Sequence, residues 1–238
     1  MKAKHQHNDV SCQFCTARLT SVFNVLEGEQ VLEMNSQKSC ATYKKGQYLF
    51  TENSTPLGVF CINSGKIKLT TTGFDGKEQI LRLSKSGDIV GYRALVSGER
   101  YNSSAVALED CSVCFIPKDY FIGLMKTDHK LCFEVAKKIS GDLRTAEDHI
   151  VSLSQKNIRE RMAEALLFLK ATYGYAEDGQ TLNVIMSREE IADYVGTSTE
   201  SAIRLLSEFN HDKLVELNGK RIKIINLEKL IKTANIGD

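Results

Sequence analysis

Two groups of residues in this chain have types and spacings that could do chemistry. The first is the pair Glu200 and Arg204, four apart in Thr199-Glu200-Ser201-Ala202-Ile203-Arg204. A carboxylate can accept from cytosine N4, and a guanidinium can bond guanine O6 and N7 together in a DNA major groove. Taken alone, the pair would be an intrahelical contact worth about a few tenths of a kcal/mol. Its surroundings favour base reading. Ser187 with Glu190 forms a capping box that opens a helix running to Val195, and Gly196 breaks that helix where a steep turn is required. Thr197 and Ser198 can cap a second helix, in which Ala202, Leu205, Leu206 and Phe209 keep helical spacing and leave Thr199, Glu200, Ile203 and Arg204 outward. Residues 214–217 and 221–224 alternate with period two around Asn218-Gly219, which predicts a β-hairpin with a type I′ turn. The whole reads as a winged helix-turn-helix. Ser198, Thr199, Glu200, Ile203, Arg204, Lys220 and Arg221 are its candidate contacts to double-stranded DNA, and Lys213 and Lys223 add to the basic wing.

The second group is the cysteines. There are seven, an odd number, in a chain of this size, which argues against a disulfide framework. Cys12-Gln13-Phe14-Cys15 lies in a polar N-terminal arm where burial is an unnatural fate, so a metal, cluster or redox role stays open beside an unremarkable arm. Zinc or ferrous iron would suit that pair with two further thiolate or imidazole ligands. Cys61, Cys132 and one of Cys111 and Cys114 read as small buried hydrophobes. His129, His149 and His211 read as solvated.

The elements that must carry these groups follow from patterning. With 238 residues, 42% apolar and 26% charged, the chain can bury a full core and make two small domains. Net charge is only +1, so any DNA affinity must come from a local patch. Neither a run of eighteen apolar residues nor an apolar signal core occurs, which predicts a cytoplasmic protein with no membrane partner. No phosphate-binding loop, nucleophile elbow or His-Glu zinc motif is found, so an enzyme is not expected. Residues 43–116 alternate in short segments punctuated by glycines, the pattern of an antiparallel barrel or jelly roll, with one short helical turn near 91–97. Beyond Pro117 the period changes. Cys132, Ala136, Ile139, Leu143, Ala146, Ile150 and Leu153 make a narrow heptad stripe on a charged helix. Of these, Ile139, Leu143, Ala146, Ile150 and Leu153 are the expected homodimer interface. A helix over 158–173, a polar loop over 174–180 and a strand-like 181–186 precede the winged domain, with a hinge expected at 154–157. The expected domains are an arm and helix carrying the C-x-x-C (1–40), an antiparallel β-roll sensor domain (41–116), connecting and dimerisation helices (117–156) and the winged helix-turn-helix (157–238). The fold class is α+β.

Lys44-Lys45-Gly46 before a strand, the Ser64-Gly65 turn, Gly87-Asp88-Ile89-Val90-Gly91, and the run from Gly196 to Leu206 together resemble the CRP/FNR family of bacterial transcription regulators, over about residues 43–230. The resemblance implies a cyclic-nucleotide-binding-like jelly roll, a homodimer on DNA, and contacts to RNA polymerase through the 174–180 loop. It also implies a TGA-like half-site core read by Glu200 and Arg204, with Thr199 and Ile203 adjusting preference. At the family's cyclic-nucleotide positions this chain has Gly91-Tyr92, Asn102-Ser103 and Ala146-Glu147, without the phosphate-pairing Arg, so cyclic AMP is not expected. An altered pocket around Gly91, Tyr92, Arg93, Asn102 and Ser103 is the alternative, with Arg93 and Arg100 nearby as substitute cations. The family's oxygen-sensing type holds an iron–sulfur cluster on clustered cysteines. Cys12, Cys15 and Cys114 match three of those positions, and Ser21 stands at the fourth. Cluster ligation normally needs four thiolates. Cys40, just before the first strand, is the expected fourth ligand, with Cys61, His5 and His7 as alternatives. A cyclic-nucleotide-binding module without DNA function is the competing reading.

Overall fold

The structure is a computed structural model that describes residues 10–73 and 75–235; His5 and His7 lie outside them. The chain divides into two compact units, Met1–Thr71 with Leu81–Arg144, and Thr72–Ile80 with Thr145–Asp238. In chain order the elements are α1 (Thr16–Leu19), α2 (Gly28–Gln37), β1 (Ser39–Tyr43), β2 (Tyr48–Phe50), β3 (Gly58–Ser64), β4 (Lys66–Thr72), β5 (Glu78–Lys85), β6 (Ile89–Val90), α3 (Tyr92–Ser97), β7 (Ser104–Ala107), β8 (Cys111–Pro117), α4 (Lys118–Thr127), α5 (His129–Gln155), α6 (Ile158–Tyr173), α7 (Arg188–Val195), α8 (Thr199–His211), β9 (Val215–Asn218), β10 (Arg221–Ile224) and α9 (Leu227–Ala234). The expected α+β class holds, with a roll, a long helix and a winged helix-turn-helix.

The roll is made of two four-stranded sheets, ordered β1-β8-β3-β6 and β2-β7-β4-β5. Its interior is filled from both, with Ile62, Ile67, Leu69, Ala105 and Val113 buried together. Alternation sends the neighbouring residues of β3 and β8 to the other face. There Val59, Cys61 and Ile116 pack with Phe23, Leu26, Met34, Phe121 and Leu131 of the arm and helices. The sheet is therefore buried on both sides. Gly65 closes the β3–β4 turn at φ +95, and a Cβ there would lie 2.5 Å from the Cys111 sulfur, so only glycine fits.

Two sequence expectations shift here. The first strand begins at Ser39, which places Cys40 within β1 rather than before it. Residues 183–186 form no strand; pairing near them is confined to bridges Tyr175–Leu182 and Thr181–Lys223.

In the second unit, α6 opens on a capping box of Asn157 and Glu160. The joint before it is braced. Arg161 donates to the carbonyls of Leu153 and Lys156, and Glu164 accepts from the Ser152 hydroxyl and, at 2.8 Å, from Lys156. A bend at residues 154–157 must break or carry these bonds.

A cavity of about 250 Å³ opens beside them, lined in part by Asp148, His149, Ser152, Phe168 and Tyr194. His149 is half-buried, contrary to its solvated expectation, with its ring 5.4 Å from that of Tyr194 and its Nε2 buried without a hydrogen-bond partner. Burial holds its pKa below the ordinary 6.5; the Glu164 carboxylate opposes this, and the Arg161 guanidinium adds to it.

Phe23 of the arm meets Phe121 edge to face at 6.1 Å and is almost fully buried. Phe23→Ala is expected to cost about 3–5 kcal/mol in denaturant unfolding, because the arm is part of a core and not an appendage. For His149 the unfolded chain binds more protons than the folded one below pH 6.5, so the stability tied to neutral His149 is present above 6.5 and lost as pH falls through the depressed folded value. Urea midpoints measured from pH 7.5 downward should show this fall, and His149→Gln should flatten it.

Candidate nucleic-acid interface, thiol face and sensor pocket

The helix-turn-helix forms as its caps dictate. Ser187 Oγ accepts from the Glu190 amide at 3.0 Å, and Glu190 accepts from the Ser187 amide at 2.7 Å. Gly196 ends α7 at φ +73, where a Cβ would lie 2.8 Å from Leu153. Ser198 alone caps α8, accepting from the Ser201 amide at 3.2 Å, while Thr197 is buried. Ala202, Leu205, Leu206 and Phe209 are buried as their spacing requires. Glu200, Ile203 and Arg204 are exposed on the opposite face, and Thr199 is half-buried.

The intrahelical Glu200–Arg204 contact that competes with base reading is not formed among the described residues. Arg204 bonds Glu208 at 3.1 Å, and Glu208 also takes Arg159 at 3.1 Å. Arg159 further reaches Asp212 and lies 4.8 Å over the Phe209 ring. Glu200 is left outward, its carboxyl held below the usual range by bonds from its own backbone amide and from Ser198. The pair can therefore present an acceptor and a donor side by side.

The wing closes one residue later than its dipeptide suggests. Asn218 pairs with Arg221, so the loop is Gly219-Lys220, and only Gly219 has positive φ, which fits a type II′ rather than a type I′ turn. Lys220 and Arg221 are exposed at its tip. Arg188, which patterning did not single out, donates to the Gly219 carbonyl at 2.8 Å and holds the wing from α7.

The roll carries the thiols. Cys114 on β8 pairs in register with Cys40 on β1 and with Cys61 on β3. Paired residues point to the same face. Because Cys61 packs in the arm-side layer with Cys12, all three strand thiols face the arm. The arm crosses them. The Val10 amide bonds the Cys40 sulfur, Cys12 is buried, and Cys15 donates to Asn63 Oδ1 on β3 at 3.4 Å. Arg18 fixes the arm's course by donating to the carbonyls of Cys12, Phe23 and Leu26 at 2.9, 3.1 and 3.1 Å.

These environments set the thiols apart. A bond shared with Cys114 brings Cys40 down to about 6 against its burial, helped by Lys38, whose ammonium lies 3.4 Å away. The same bond, with burial, raises Cys114. Burial pushes Cys61 up to about 12 and also raises Cys12.

Two cysteines depart from expectation or stand apart. Cys132 is exposed on α5, not buried. Cys111 faces the roll interior and bonds the Glu109 and Lys66 carbonyls. Ser21, which stands where the family resemblance would place a further cysteine, is buried, with its hydroxyl donating to the Arg18 carbonyl at 2.8 Å and accepting from the Phe23 amide at 3.1 Å.

Among the described residues, no three His, Cys, Asp or Glu side chains converge on a point that would hold a single metal ion.

The proposed effector pocket is split. Tyr92 is wholly buried, and its hydroxyl donates to Asp142 of α5. Arg82 donates to the Tyr92 oxygen at 3.2 Å and to Asp142, and Lys138 reaches Asp142 at 3.1 Å and Asp88 at 3.2 Å. Thus Arg82, which sequence reasoning passed over, is the half-buried arginine beside Tyr92, rather than Arg93 or Arg100. Both of those are exposed, and Arg100 bonds the Asn53 carbonyl. Arg93 and Asn102 share only a shallow cavity of about 240 Å³ with Ile139, while Gly91, Tyr92 and Ser103 are buried. Ala146 and Glu147 are exposed on α5.

Comparison with known proteins agrees with this geometry. Residues 40–128 match the cyclic nucleotide-binding domain family, and residues 160–233 match the Crp-like helix-turn-helix domain family. The fumarate and nitrate reduction regulatory protein of Vibrio cholerae is 30% identical over 236 residues, covering 95% of this chain and 91% of that protein. Its namesake in Yersinia pestis is 32% identical over 229 residues, covering 94% and 90%. Among solved structures, FixK2 from Bradyrhizobium japonicum superposes with a TM-score of 0.76 at 25% identity, covering 84% of this chain and 99% of that one. With the winged helix built from its caps, the roll closed by its two sheets and these relatives spanning nearly the full length, the chain belongs to the CRP/FNR family and is a DNA-binding transcription regulator.

Proposed function

We propose that this regulator works as a homodimer whose two α8 helices read the halves of a palindromic site, and whose arm and sheet thiols make that reading redox-responsive. The observation that carries the DNA half is the outward face of Glu200, Ile203 and Arg204 on a helix anchored by its opposite face. Glu200 accepts from a cytosine and Arg204 donates to a guanine, with Ser198, Thr199 and Ile203 at the groove and Lys220 and Arg221 on the flanking backbone. Arg204 leaves Glu208 to do so, and Glu208 keeps Arg159 as its partner. Two such helices would meet successive major grooves about 34 Å apart.

Dimerisation is supported by α5. Leu143 and Ile150 are 58% and 64% exposed, and Ala146 and Leu153 are exposed on the same stripe, with Ile139 half-covered. Such a stripe has no stable place in water on a 27-residue helix without a partner. The polymerase contact is assigned to the 174–180 loop. No enzymatic activity is assigned. No helix among the described residues is long and apolar enough to cross a membrane, which supports action in the cytoplasm.

Sensing is assigned to the thiol face, because Arg82, the arginine beside Tyr92, is already paired with Asp142, and Arg93 and Arg100 are exposed, which leaves cyclic AMP no free buried cation. The relatives' name, fumarate and nitrate reduction regulatory protein, supports a redox signal. Cys12, Cys15 and Cys114 hold an iron–sulfur cluster together with a fourth thiolate from the sheet, where Cys40 and Cys61 flank Cys114. When bound, such a cluster supplies a redox-active centre. The residues around it fix the arm through Arg18 and Ser21, and the β8 register links its face to the rest of the sheet. A signal there acts only if it favours one arrangement of the DNA-reading helices over another.

Arg204→Ala is expected to cost about 1–3 kcal/mol on a cognate site and to relax discrimination at one guanine. An equal loss on random DNA would instead make Arg204 a phosphate contact. Leu143→Glu or Ile150→Glu should give monomers in sedimentation and weak operator binding; a persisting dimer would remove α5 as the interface.

A further inference from the structure

We infer that Cys61 supplies the fourth thiolate of the cluster, taking the place that Ser21 leaves in the arm, and that Cys40 stays outside the ligand set. The inference rests on the cluster reading for the existence of the group, and adds which of this chain's sulfurs hold it.

Ser21 is excluded by its own geometry. It is 5% exposed, and its hydroxyl donates to the Arg18 carbonyl and accepts from the Phe23 amide, which ties it to the turn between them. Freeing it would uncap the 3-10 turn Val22–Val25, whose Val22 and Phe23 are buried. The replacement must therefore come from the sheet, where the β8 register leaves two sulfurs beside Cys114.

The arm distinguishes them. Cys12 is buried in the same apolar layer as Cys61. Cys15 donates to Asn63 of β3, which itself donates to Ser112 Oγ at 3.4 Å, two residues before Cys114 on β8 and so on the same face as Cys114. The two arm thiols thus lie toward β3, with Cys61 and Cys114 as adjacent rungs beneath them.

Cys40 lies on the other side of Cys114, on edge strand β1, away from β3 and Asn63. Lys38 Nζ lies 3.4 Å from its sulfur, which also takes bonds from the Val10 amide and from Cys114. The set Cys12, Cys15, Cys61 and Cys114 draws two thiolates from the arm and two from neighbouring strands, which is the number a cluster needs.

The test is iron and sulfide content per chain, with visible absorption, on the full-length protein purified without oxygen. The variants are Cys61→Ala, Cys40→Ser, Cys12→Ser/Cys15→Ser, and Cys61→Ala combined with Ser21→Cys; far-ultraviolet circular dichroism checks folding in each. The expected result is a wild-type level of iron and sulfide in Cys40→Ser, loss of the visible band in Cys61→Ala and in the double arm variant, and its partial return when Ser21→Cys is added. That return separates lost ligation from lost folding. Iron retained in Cys61→Ala overturns the assignment of Cys61 while leaving the cluster reading intact, and loss in Cys40→Ser overturns the exclusion of Cys40. A wild-type protein with neither iron nor sulfide overturns the cluster reading, and this inference with it.

Discussion

Everything on the sensor side of this protein depends on the register of β8 between β1 and β3. The strand alternates, so Cys111 and Val113 enter the roll while Cys114 and Ile116 face the arm and helices. A one-residue slip would exchange those faces, burying the arm-side sulfur in the roll interior and turning Cys111 toward the arm. Both faces of the sheet are packed, so the register is held from two sides. The arm can then be short and irregular, because Arg18 ties its carbonyls together and Phe23 anchors it to Phe121.

A second constraint is the charge cluster of Arg82, Tyr92, Asp142 and Lys138. Removing a guanidinium and a carboxylate from water is costly and is offset only when geometry and hydrogen bonds are nearly complete. Here Asp142 accepts from three donors, and Tyr92 joins the arginine to it. The cluster binds the start of α3 and the middle of β5 to α5. Burial lowers the Arg82 pKa, yet an arginine at that position stays charged, which makes the cluster a permanent electrostatic tie.

The DNA side works by a division of faces. Apolar spacing on α8 spends one face on the domain core, and the caps at Ser187 and Ser198 hold the helix start in place. The free face carries Glu200 unpaired with Arg204, while Arg204 rests on Glu208. Such an exposed pair is worth little, so exchanging it for a base contact costs little. Arg159, shared between Glu208 and Asp212, pairs with both carboxylates independently of Arg204.

Local chemistry made much of this legible. Capping boxes, the glycine at 196 and helical or alternating apolar spacing depend on near neighbours, so α6, α7, α8 and the wing strands were readable to within a residue or two, and α5 by its heptads. The wing turn was missed by one residue because both Asn218 and Gly219 suit such loops, and only pairing of the strands decides between registers. Cys40, Cys61 and Cys114 are far apart in the chain, and nothing local says they share a row; cross-strand register alone brings them together. Likewise Arg82 looked like any strand arginine until Asp142, sixty residues away, came against it. By itself, then, the sequence determined the elements, the DNA-reading helix and its outward residues, because those rest on periodicity and capping. Which cysteines face one another, where the buried charges go and what fills the roll were decided only by the tertiary structure, because each depends on contacts between segments whose spacing in sequence carries no record of their distance in space.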